Sequence, residues 1–319
     1  NAIILTASGD RDHAIMNVVA SAFGNAGQKC SACSLLLVER SVYEDKNFRE
    51  KLKDAATSMK VGSVWNPGNV VGPMITNGND KLLKALELEQ GESWLVPPQF
   101  LDKNKYVLAP TVKWGVRPGS YSFRTELFGP MLSVVCIENL QQGIELVNSL
   151  DYGLTSGLQS LDEEEQRLWK NSIMAGNLYI NRGITGAIVN RQPFGGMKLS
   201  AFGGGVKAGG PNYCACFVKI SDKPGSTTDY KQSYPKAYEQ EFAHARDINN
   251  LYGEQNVFRY LPLRNMVLRL FPGDTNEDAQ MIAFAAKICH TPLTISFEPG
   301  DDRTTALASL GCSLKKESL

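Results

Sequence analysis

One cysteine of this sequence, Cys30, stands in a setting suited to nucleophilic chemistry. It lies in the segment Gly27–Cys33 (GQKCSAC), after a glycine turn and before an apolar stretch, where a helix N-terminus can form. The partial positive charge of such a terminus, with Lys29 beside it, would favour the thiolate. Because the thiolate is the form that attacks a carbonyl carbon, the segment indicates a catalytic cysteine. The alternative is that Cys30 and Cys33 are ordinary buried cysteines.

Two other kinds of cysteine chemistry are compatible with the spacing. Cys30-x-x-Cys33 matches a dithiol redox pair, although thioredoxin-like motifs follow a first strand and here a predicted helix comes before. A zinc site would combine these two residues with Cys214 and Cys216, but that second pair has a single intervening residue. The sequence has only three histidines, none close to another. We therefore expect no metal site.

A second candidate segment is Thr125–Pro130 (TELFGP), just before a predicted buried strand. The carboxylate of Glu126 can accept hydrogen bonds from ribose hydroxyls, and the ring of Phe128 can stack on a planar cofactor. The alternative is the entry to a strand with a core phenylalanine. Taken alone, this segment discriminates little between the two.

The third candidate is a glycine-rich stretch, residues 183–210, which holds nine glycines. Within it lies the segment Gly186–Gly196 (GAIVNRQPFGG), whose free N–H groups could bind an anion. Long loops of this kind are commonly functional. The stretch lacks the spacing of a phosphate-binding loop and of a dinucleotide fingerprint, and the chain has no G-x-S-x-G nucleophile elbow.

Strands that alternate with helices must position these segments, which predicts an α/β fold with a largely parallel sheet and helices on its faces. The periodicity predicts four strands (Ala2–Leu5, Ser34–Glu39, Leu132–Ile137, Asn177–Ile180) and five helices (Ala14–Ala22, Tyr43–Met59, Lys81–Leu88, Leu140–Leu150, Leu161–Ala175). Asp10 and Asp12 precede the first helix at its positive end. Residues 61–76 read as a loop.

The remainder of the chain predicts a smaller second unit. Tyr213–Ile220 alternates like a strand, and Ser221–Tyr234 is polar and reads as a linker. Beyond it we expect one or two strands in Val257–Phe271, a helix in Asp274–Thr291 and a strand in Pro292–Phe297, with a further helix possible at 301–310. The predicted division is therefore a domain at 1–212, a strand at 213–220, a linker at 221–246 and a small α/β domain at 247–319.

Composition excludes several classes of protein. Lysine plus arginine and aspartate plus glutamate each total 33, so the formal net charge is zero, which argues against nucleic-acid binding. No apolar run is long enough for a membrane span, and no signal peptide is recognisable. Seven scattered cysteines do not resemble a secreted disulfide framework and favour the cytoplasm. Because the chain begins on a strand-like run without methionine, we expect it to be an internal part of a longer protein.

Taken together, the three segments resemble the aldehyde dehydrogenase superfamily over about residues 1–220. Gly27–Cys30 is similar to its nucleophile motif, Glu126–Pro130 to its cofactor-contacting motif, and Asn181 with the loop to Gly196 to its substrate loop. The stretch Asp151–Gly157 (DYGLTSG) also matches. Three motifs in the right order favour the catalytic reading of Cys30 over the structural one.

Within that superfamily the chain resembles the Δ1-pyrroline-5-carboxylate dehydrogenases, which oxidise L-glutamate 5-semialdehyde. Gln28–Ser34, Thr185–Ala187, Arg191–Phe194 and Lys207–Tyr213 carry this narrower resemblance. The tail resembles the extra domain of some bifunctional proline utilisation A proteins, in which a proline dehydrogenase shares the polypeptide. The resemblance implies a homo-oligomer, with Tyr213–Ile220 as the strand used in association.

The resemblance also implies roles for individual residues. Cys30 would form a thiohemiacetal and then a thioester, with hydride passing to NAD. Glu126 would bind the ribose and Phe128 would lie against the nicotinamide. The backbone at Gly186 and Ala187, with the Ser31 hydroxyl, would hold the substrate's α-carboxylate, and Phe194 would pack on its aliphatic part.

The chain also departs from the family pattern. The family's general base is a glutamate in a Glu-x-Gly-Gly-Lys-Asn stretch, and Asn1 resembles the last residue of that stretch. We therefore expect the base, the oxyanion asparagine and the cofactor domain to lie upstream, and the 319-residue chain to be inactive alone. The choice between NAD and NADP stays open, as do an aldehyde dehydrogenase of another substrate, a non-catalytic scaffold and a dithiol module.

Overall fold

The chain forms two compact units, Asn1–Cys216 and Phe217–Leu319. The structure is a computed structural model, and it describes residues 1–188, 191–202, 206–219, 221, 229–300 and 311–318. The helix expected at 301–310 lies outside the described residues. Each unit is described by itself below.

The described residues of the first unit form nine strands, seven of them in one sheet ordered β3-β4-β5-β2-β1-β7-β8. All neighbouring pairs in this sheet are parallel except β3–β4. The predicted parallel-rich sheet is confirmed. The strands are β1 (Ala2–Leu5), β2 (Leu35–Glu39), β3 (Ser93–Val96), β4 (Thr111–Trp114), β5 (Met131–Ile137), β6 (Tyr152–Gly153), β7 (Thr155–Gln159), β8 (Asn177–Ile180) and β9 (Met197–Lys198).

Helices cover both faces of the sheet, because successive side chains of a strand point to opposite sides. Ile3 and Leu5 of β1 belong to one buried cluster, and Ala2 and Ile4 belong to another. The first cluster includes residues of α1 and α3, and the second includes residues of α6 and α7. The helices of this unit are α1 (Arg11–Phe23), α2 (Arg40–Tyr43), α3 (Lys46–Thr57), α4 (Asp80–Ala85), α5 (Tyr121–Arg124), α6 (Leu140–Asn148) and α7 (Glu163–Ser172).

Most helices begin where a polar side chain caps them. Asp10 accepts a hydrogen bond from the His13 N–H at the start of α1, as the acidic residues there predicted. Asp45 caps α3 by accepting from Asn47 N–H, so the helix predicted over 43–59 is α3 alone, Lys46–Thr57. The separate short helix α2, Arg40–Tyr43, precedes it and was not predicted. The cap therefore fixes the start of this helix three residues later than the apolar period predicted.

The strands β3 and β4 were not predicted from the sequence pattern. Lys113 interrupts the apolar run of β4, yet its side chain is only 1% exposed. Its ammonium pairs with the equally buried Glu92 carboxylate at 2.9 Å and donates to the Glu87 carbonyl at 2.7 Å. The charge is thus tolerated in the core because a partner distant in sequence compensates it.

The predicted strand at Tyr213–Ile220 is wrong where the structure describes it. Tyr213–Phe217 forms a 3₁₀ helix. The backbone bonds of this segment are local, from Tyr213 N–H to Gly210 O and from Ala215 N–H to Asn212 O. Alternating sequence makes a strand only where a neighbouring strand supplies ladder hydrogen bonds.

The second unit is built on a three-stranded parallel sheet ordered β12-β13-β14, with α9 between its first two strands. This confirms the predicted β-α-β arrangement. Helix α8 lies in the segment predicted as a linker, where Tyr230 and Tyr234 contact the ring of Phe284 in α9. The elements are α8 (Tyr230–Ala237), a π-helical turn (Tyr238–Phe242), β10 (Arg246–Asp247), β11 (Val257–Phe258), β12 (Met266–Arg269), α9 (Asn276–Ile288), β13 (Leu293–Phe297) and β14 (Ser313–Lys316).

Across the described residues, no helix is both long and apolar enough to span a membrane.

Candidate active site

The candidate residues gather at the amino ends of the parallel strands of the first unit. Cys30 precedes β2, and Phe128 precedes β5. Asn1 precedes β1 directly, and Asn177 is the first residue of β8. Open α/β sheets more often bind ligands at the carboxyl ends of their strands. The candidate site therefore lies at the amino ends of the strands, whereas the fold class alone would suggest the carboxyl ends.

Cys30 is exposed in a turn, and the side chain of Asn1 hydrogen-bonds to the backbone of that turn. The Asn1 Nδ2 donates to the carbonyls of Cys30 at 2.9 Å and Ala32 at 3.0 Å. The Asn1 Oδ1 accepts from the Thr155 N–H at 3.0 Å, which ties the turn to β7. No described acceptor takes the Cys30 N–H, which leaves this donor available for an oxyanion beside the thiol.

No helix begins at Cys30, so that expectation is wrong. The turn is closed by the Ala32 N–H, which donates to the Lys29 carbonyl at 3.0 Å, and the chain then enters β2. The 3₁₀ segment Gly24–Gly27 before it contains Asn25 and Ala26 at left-handed φ values of 57° and 54°. A helix dipole therefore has no part in activating this thiol.

Cys33 is chemically different from Cys30. Its side chain is buried, and its Sγ donates to the Leu35 carbonyl at 3.3 Å. Burial raises the pKa of the Cys33 thiol to about 12, so this group stays protonated at neutral pH. Because disulfide exchange needs a thiolate, Cys33 is poorly suited to a dithiol redox pair. Among the described residues, no cluster of three or more metal-ligating side chains was found.

The turn that carries Glu126 and Phe128 lies against the cysteine loop. Gly27, at φ 66°, packs so closely that a Cβ there would overlap the Gly129 carbonyl oxygen. The Gln28 side chain joins the two loops, since its Nε2 donates to the Phe128 carbonyl at 3.2 Å. Its Oε1 also accepts from the Ile75 N–H at 2.9 Å. Glu126 and Phe128 are both exposed beside the cysteine loop.

Helix α1 links the cysteine turn to the third segment through Ser21. The Ser21 carbonyl accepts from the Cys33 N–H at 3.0 Å, and its Oγ accepts from the Ile184 N–H at 3.0 Å. The chain then continues to Gly186, at φ 83°, and Ala187, which is exposed. Positions 189 and 190 lie outside the described residues. The first part of the glycine-rich segment is thus anchored on the same helix residue as the cysteine turn.

Two further predicted residues differ in exposure. Ser31 is only 3% exposed although it directly follows Cys30. Phe194 is half-buried and forms a two-bond bridge with Ala208, with N···O distances of 3.0 and 2.9 Å. It lies near the start of β8, three strand spacings from β2, which is roughly 14 Å across the sheet.

Sequence reasoning missed the residues that connect the segments. Gln28 and Ser21 bridge loops across long sequence separations, and Asn1 was noted only as part of a motif. Gln28 lies two residues before Cys30 in the motif, and this proximity is the signal that could have singled it out. The others belong to ordinary helix and strand patterns, and their partners are decided by packing.

Several known proteins are similar to this chain in sequence. Residues 1–222 match the sequence model of the aldehyde dehydrogenase family. The 1-pyrroline-5-carboxylate dehydrogenase of Staphylococcus haemolyticus is 34% identical over 221 residues, which are 69% of this chain and 42% of that protein. The protein of the same name from Bacillus subtilis is 34% identical over 213 residues, 66% of this chain and 41% of its own.

Solved structures give the same result. Proline utilization A from Corynebacterium freiburgense matches with a TM-score of 0.84 and 38% identity, over 100% of this chain and 36% of that one. A Thermus 1-pyrroline-5-carboxylate dehydrogenase with bound NAD matches with a TM-score of 0.62 and 35% identity, over 68% of this chain and 42% of that one. This chain spans about 42% of the length of the first curated relative.

Proposed function

The chain belongs to the aldehyde dehydrogenase family, and we propose that it supplies the catalytic cysteine and the substrate loop of a Δ1-pyrroline-5-carboxylate dehydrogenase. The reaction is the NAD-dependent oxidation of L-glutamate 5-semialdehyde to L-glutamate in proline catabolism. The names of the relatives from Staphylococcus haemolyticus and Bacillus subtilis support this choice of substrate. The whole-length likeness to a proline utilization A protein supports a place in a larger bifunctional polypeptide.

The observation that carries the proposal is the contact between the Cys30 loop and the Phe128 turn. Gly27 lies against Gly129, and Gln28 donates to the Phe128 carbonyl. The loop that carries an exposed thiol therefore lies against the turn that carries an exposed ring and carboxylate. This is the combination that a thiol-dependent dehydrogenase needs, because aldehyde and cofactor must meet at the nucleophile.

The residues present fit the nicotinamide end of the cofactor. Phe128 is 37% exposed at φ 54°, which turns its ring out of the core, and Glu126 is exposed two residues earlier. In the proposal Phe128 lies along the nicotinamide and Glu126 accepts hydrogen bonds from ribose hydroxyls. NAD, when bound, accepts the hydride.

In the proposed mechanism the Cys30 thiolate adds to the aldehyde carbon, and the carbonyl oxygen becomes an alkoxide. The Cys30 N–H, which no described residue accepts, donates to that oxygen; one such donor is worth about 3–4 kcal/mol. Loss of hydride leaves a thioester on Cys30. Water then attacks the thioester carbon, and the C–S bond breaks to release glutamate and the free cysteine.

The base that activates this water is proposed to lie in another part of the enzyme. Among the described residues, no carboxylate hydrogen-bonds to the Cys30 turn. Because the chain spans about 42% of a curated relative, we expect turnover to require more of the polypeptide than these residues. The 319-residue chain alone is therefore expected to be inactive.

Substrate recognition is proposed for the loop that begins on α1. The N–H groups of Gly186 and Ala187, with the Ser31 hydroxyl, would hold the α-carboxylate. Among the described residues, no heavy atom apart from those of its chain neighbours lies within 4 Å of a Cβ position at Gly186, which leaves its backbone open to a ligand. The ring of Phe194 would pack on the aliphatic part of the substrate.

The test uses the natural polypeptide that contains these residues. NADH formation is measured with Δ1-pyrroline-5-carboxylate and with simple aliphatic aldehydes, in wild type, Cys30→Ser and Cys33→Ser. We expect activity in wild type, its loss in Cys30→Ser and its retention in the matched control Cys33→Ser, whose thiol is buried and protonated. Equal rates on simple aldehydes would reject the substrate choice, and activity in Cys30→Ser would reject the mechanism.

A further inference from the structure

The segment that carries Phe194 is held by a group that the proposed reaction does not use, the ammonium of Lys207. Its Nζ donates to the Gly176 carbonyl, to the Asn177 Oδ1 at 3.1 Å and to the Gly195 carbonyl at 2.9 Å. An ammonium has three N–H donors, and here each has one oxygen. The side chain therefore ties the start of β8 to the loop that follows Phe194.

The side chain of Asn177 bonds to the same loop. The hydrogen bonds of Lys207 and Asn177 together are called the frame below. The Asn177 Nδ2 donates to the Pro193 carbonyl at 3.0 Å, and its Oδ1 accepts from the Gly195 N–H at 3.2 Å as well as from Lys207. The residues before and after Phe194 are thus both bonded to one amide. The backbone of Phe194 itself is paired with Ala208, the neighbour of Lys207.

Close backbone packing makes this frame stiff. A Cβ at Gly176 would overlap the Gly195 carbonyl oxygen, and a Cβ at Gly195 would lie 3.1 Å from the Lys207 Cγ. Side chains at these positions would separate the loop from β8. The glycines of the Pro-Phe-Gly-Gly motif are therefore explained by close approach rather than by left-handed backbone, since Gly195 has no positive φ.

The charges around Lys207 are few. The described stretches of β8 and of the loop, residues 176–182, 191–202 and 206–210, contain no aspartate or glutamate. Their other titratable groups are Tyr179, Arg182, Arg191 and Lys198, and Asp151 meets the loop through its carbonyl, which accepts from the Leu199 N–H. Burial lowers the pKa of Lys207 from 10.5 to about 8. Loss of this proton would leave two donors for three oxygens.

We propose that Lys207 and Asn177 form a positioning pair that fixes the backbone around Phe194 and thereby sets the affinity of the enzyme for its aldehyde. The pair does not contact the reacting atoms. This inference rests on the proposed function, because it assumes that Phe194 meets the substrate. It predicts that damage to the pair raises KM for the aldehyde and leaves kcat nearly unchanged.

The kinetic test uses the natural polypeptide with Lys207→Met, which keeps the length of the side chain and removes the donors. We expect KM for Δ1-pyrroline-5-carboxylate to rise about tenfold, the worth of one charged hydrogen bond, with kcat within about threefold. In wild type KM should rise above pH 8, near the pKa of Lys207, and in Lys207→Met it should be flat.

Lys198→Met is the matched control. Lys198 is another lysine of the same loop, and its Nζ donates to the carbonyls of Val147, Asn148 and Leu150 at 3.3, 2.8 and 2.7 Å. Its loss should lower stability without a tenfold rise in KM. Equal effects of the two variants on KM would overturn the proposal, because they would mean general loosening of the loop. If Lys207→Met does not fold, Asn177→Ser tests the same frame with the same expected rise in KM.

A second measurement separates this inference from the proposed function. The 319-residue chain is labelled with ¹³Cε-lysine, and the Lys207 resonance is assigned by its loss in Lys207→Met or Lys207→Arg. A midpoint near pH 8 supports the buried frame, and a midpoint near the ordinary 10.5 overturns it. An inactive natural enzyme would instead reject the proposed function and leave this titration unaffected.

Discussion

Gly27 is a position at which the candidate site is sensitive to a single methyl group. A Cβ at this residue would overlap the Gly129 carbonyl oxygen and lie 2.6 Å from the Gly129 carbonyl carbon and 2.9 Å from the Ala22 carbonyl oxygen. These are backbone atoms, which cannot rotate away. The φ of 66° is also one that side-chain-bearing residues rarely adopt.

We therefore expect Gly27→Ala to destabilise the first unit. Left-handed strain costs about 1–2 kcal/mol, and the overlap adds about 1–3 kcal/mol, for a total of about 2–5 kcal/mol. For a unit of this size each kcal/mol lowers Tm by about 2–4 °C, so Tm should fall by at least about 4 °C. The methyl group also pushes the Cys30 loop away from the Phe128 turn, so kcat of the natural enzyme should fall as well.

The chain offers its own control and its own probe. Gly24 has φ −53° and no heavy atom within 4 Å of its Cβ position, so Gly24→Ala should be neutral or stabilise by up to about 1 kcal/mol. All four tryptophans, at positions 65, 94, 114 and 169, lie in the first unit. Tryptophan emission during urea or thermal unfolding therefore reports on this unit alone. The reasoning is refuted if Gly27→Ala unfolds at the same midpoint as Gly24→Ala.

Two further predictions concern buried ionisable groups. Lys113→Met should destabilise the first unit by about 3–5 kcal/mol, seen as an earlier tryptophan transition, because it strands the Glu92 carboxylate without its 2.9 Å partner. A midpoint matching wild type would show that this pair is not buried. Iodoacetamide at pH 8 should label Cys30 in the native chain and spare Cys33, whose thiol is buried with a pKa of about 12, as read by peptide mass spectrometry. Rapid labelling of Cys33 without unfolding would contradict that burial.

Local pattern was sufficient for elements whose residues decide their own conformation. The strand Ala2–Leu5 and the strand Asn177–Ile180 were predicted with the bounds that the structure has. Both are short runs flanked by polar or turn residues, Asn1 and Thr6 for the first and Gly176 and Asn181 for the second. The helix α1 follows from its apolar spacing and its acidic start, since period and cap are both local properties.

Local pattern failed where a distant partner decides the outcome. The polar segment around Tyr230 and Tyr234 read as a linker, yet its rings contact Phe284 and a helix results. The strand β4 was not predicted because Lys113 interrupts its apolar pattern, and the compensating charge of Glu92 is twenty-one positions away. In each case the sequence window does not contain the group that makes the structure favourable.

The same division holds at the candidate site. The sequence by itself determined the chemistry that is available: a cysteine after a glycine turn, a carboxylate and a ring in one turn, and a glycine-rich loop. The tertiary structure alone decided that Cys30 lies in a turn without a helix, that Cys33 is buried, and that Gln28 and Lys207 hold the loops together. Their hydrogen bonds join residues 100 and about 30 positions apart. Such bonds form only after the sheet has brought those segments to one edge, so no local pattern encodes them.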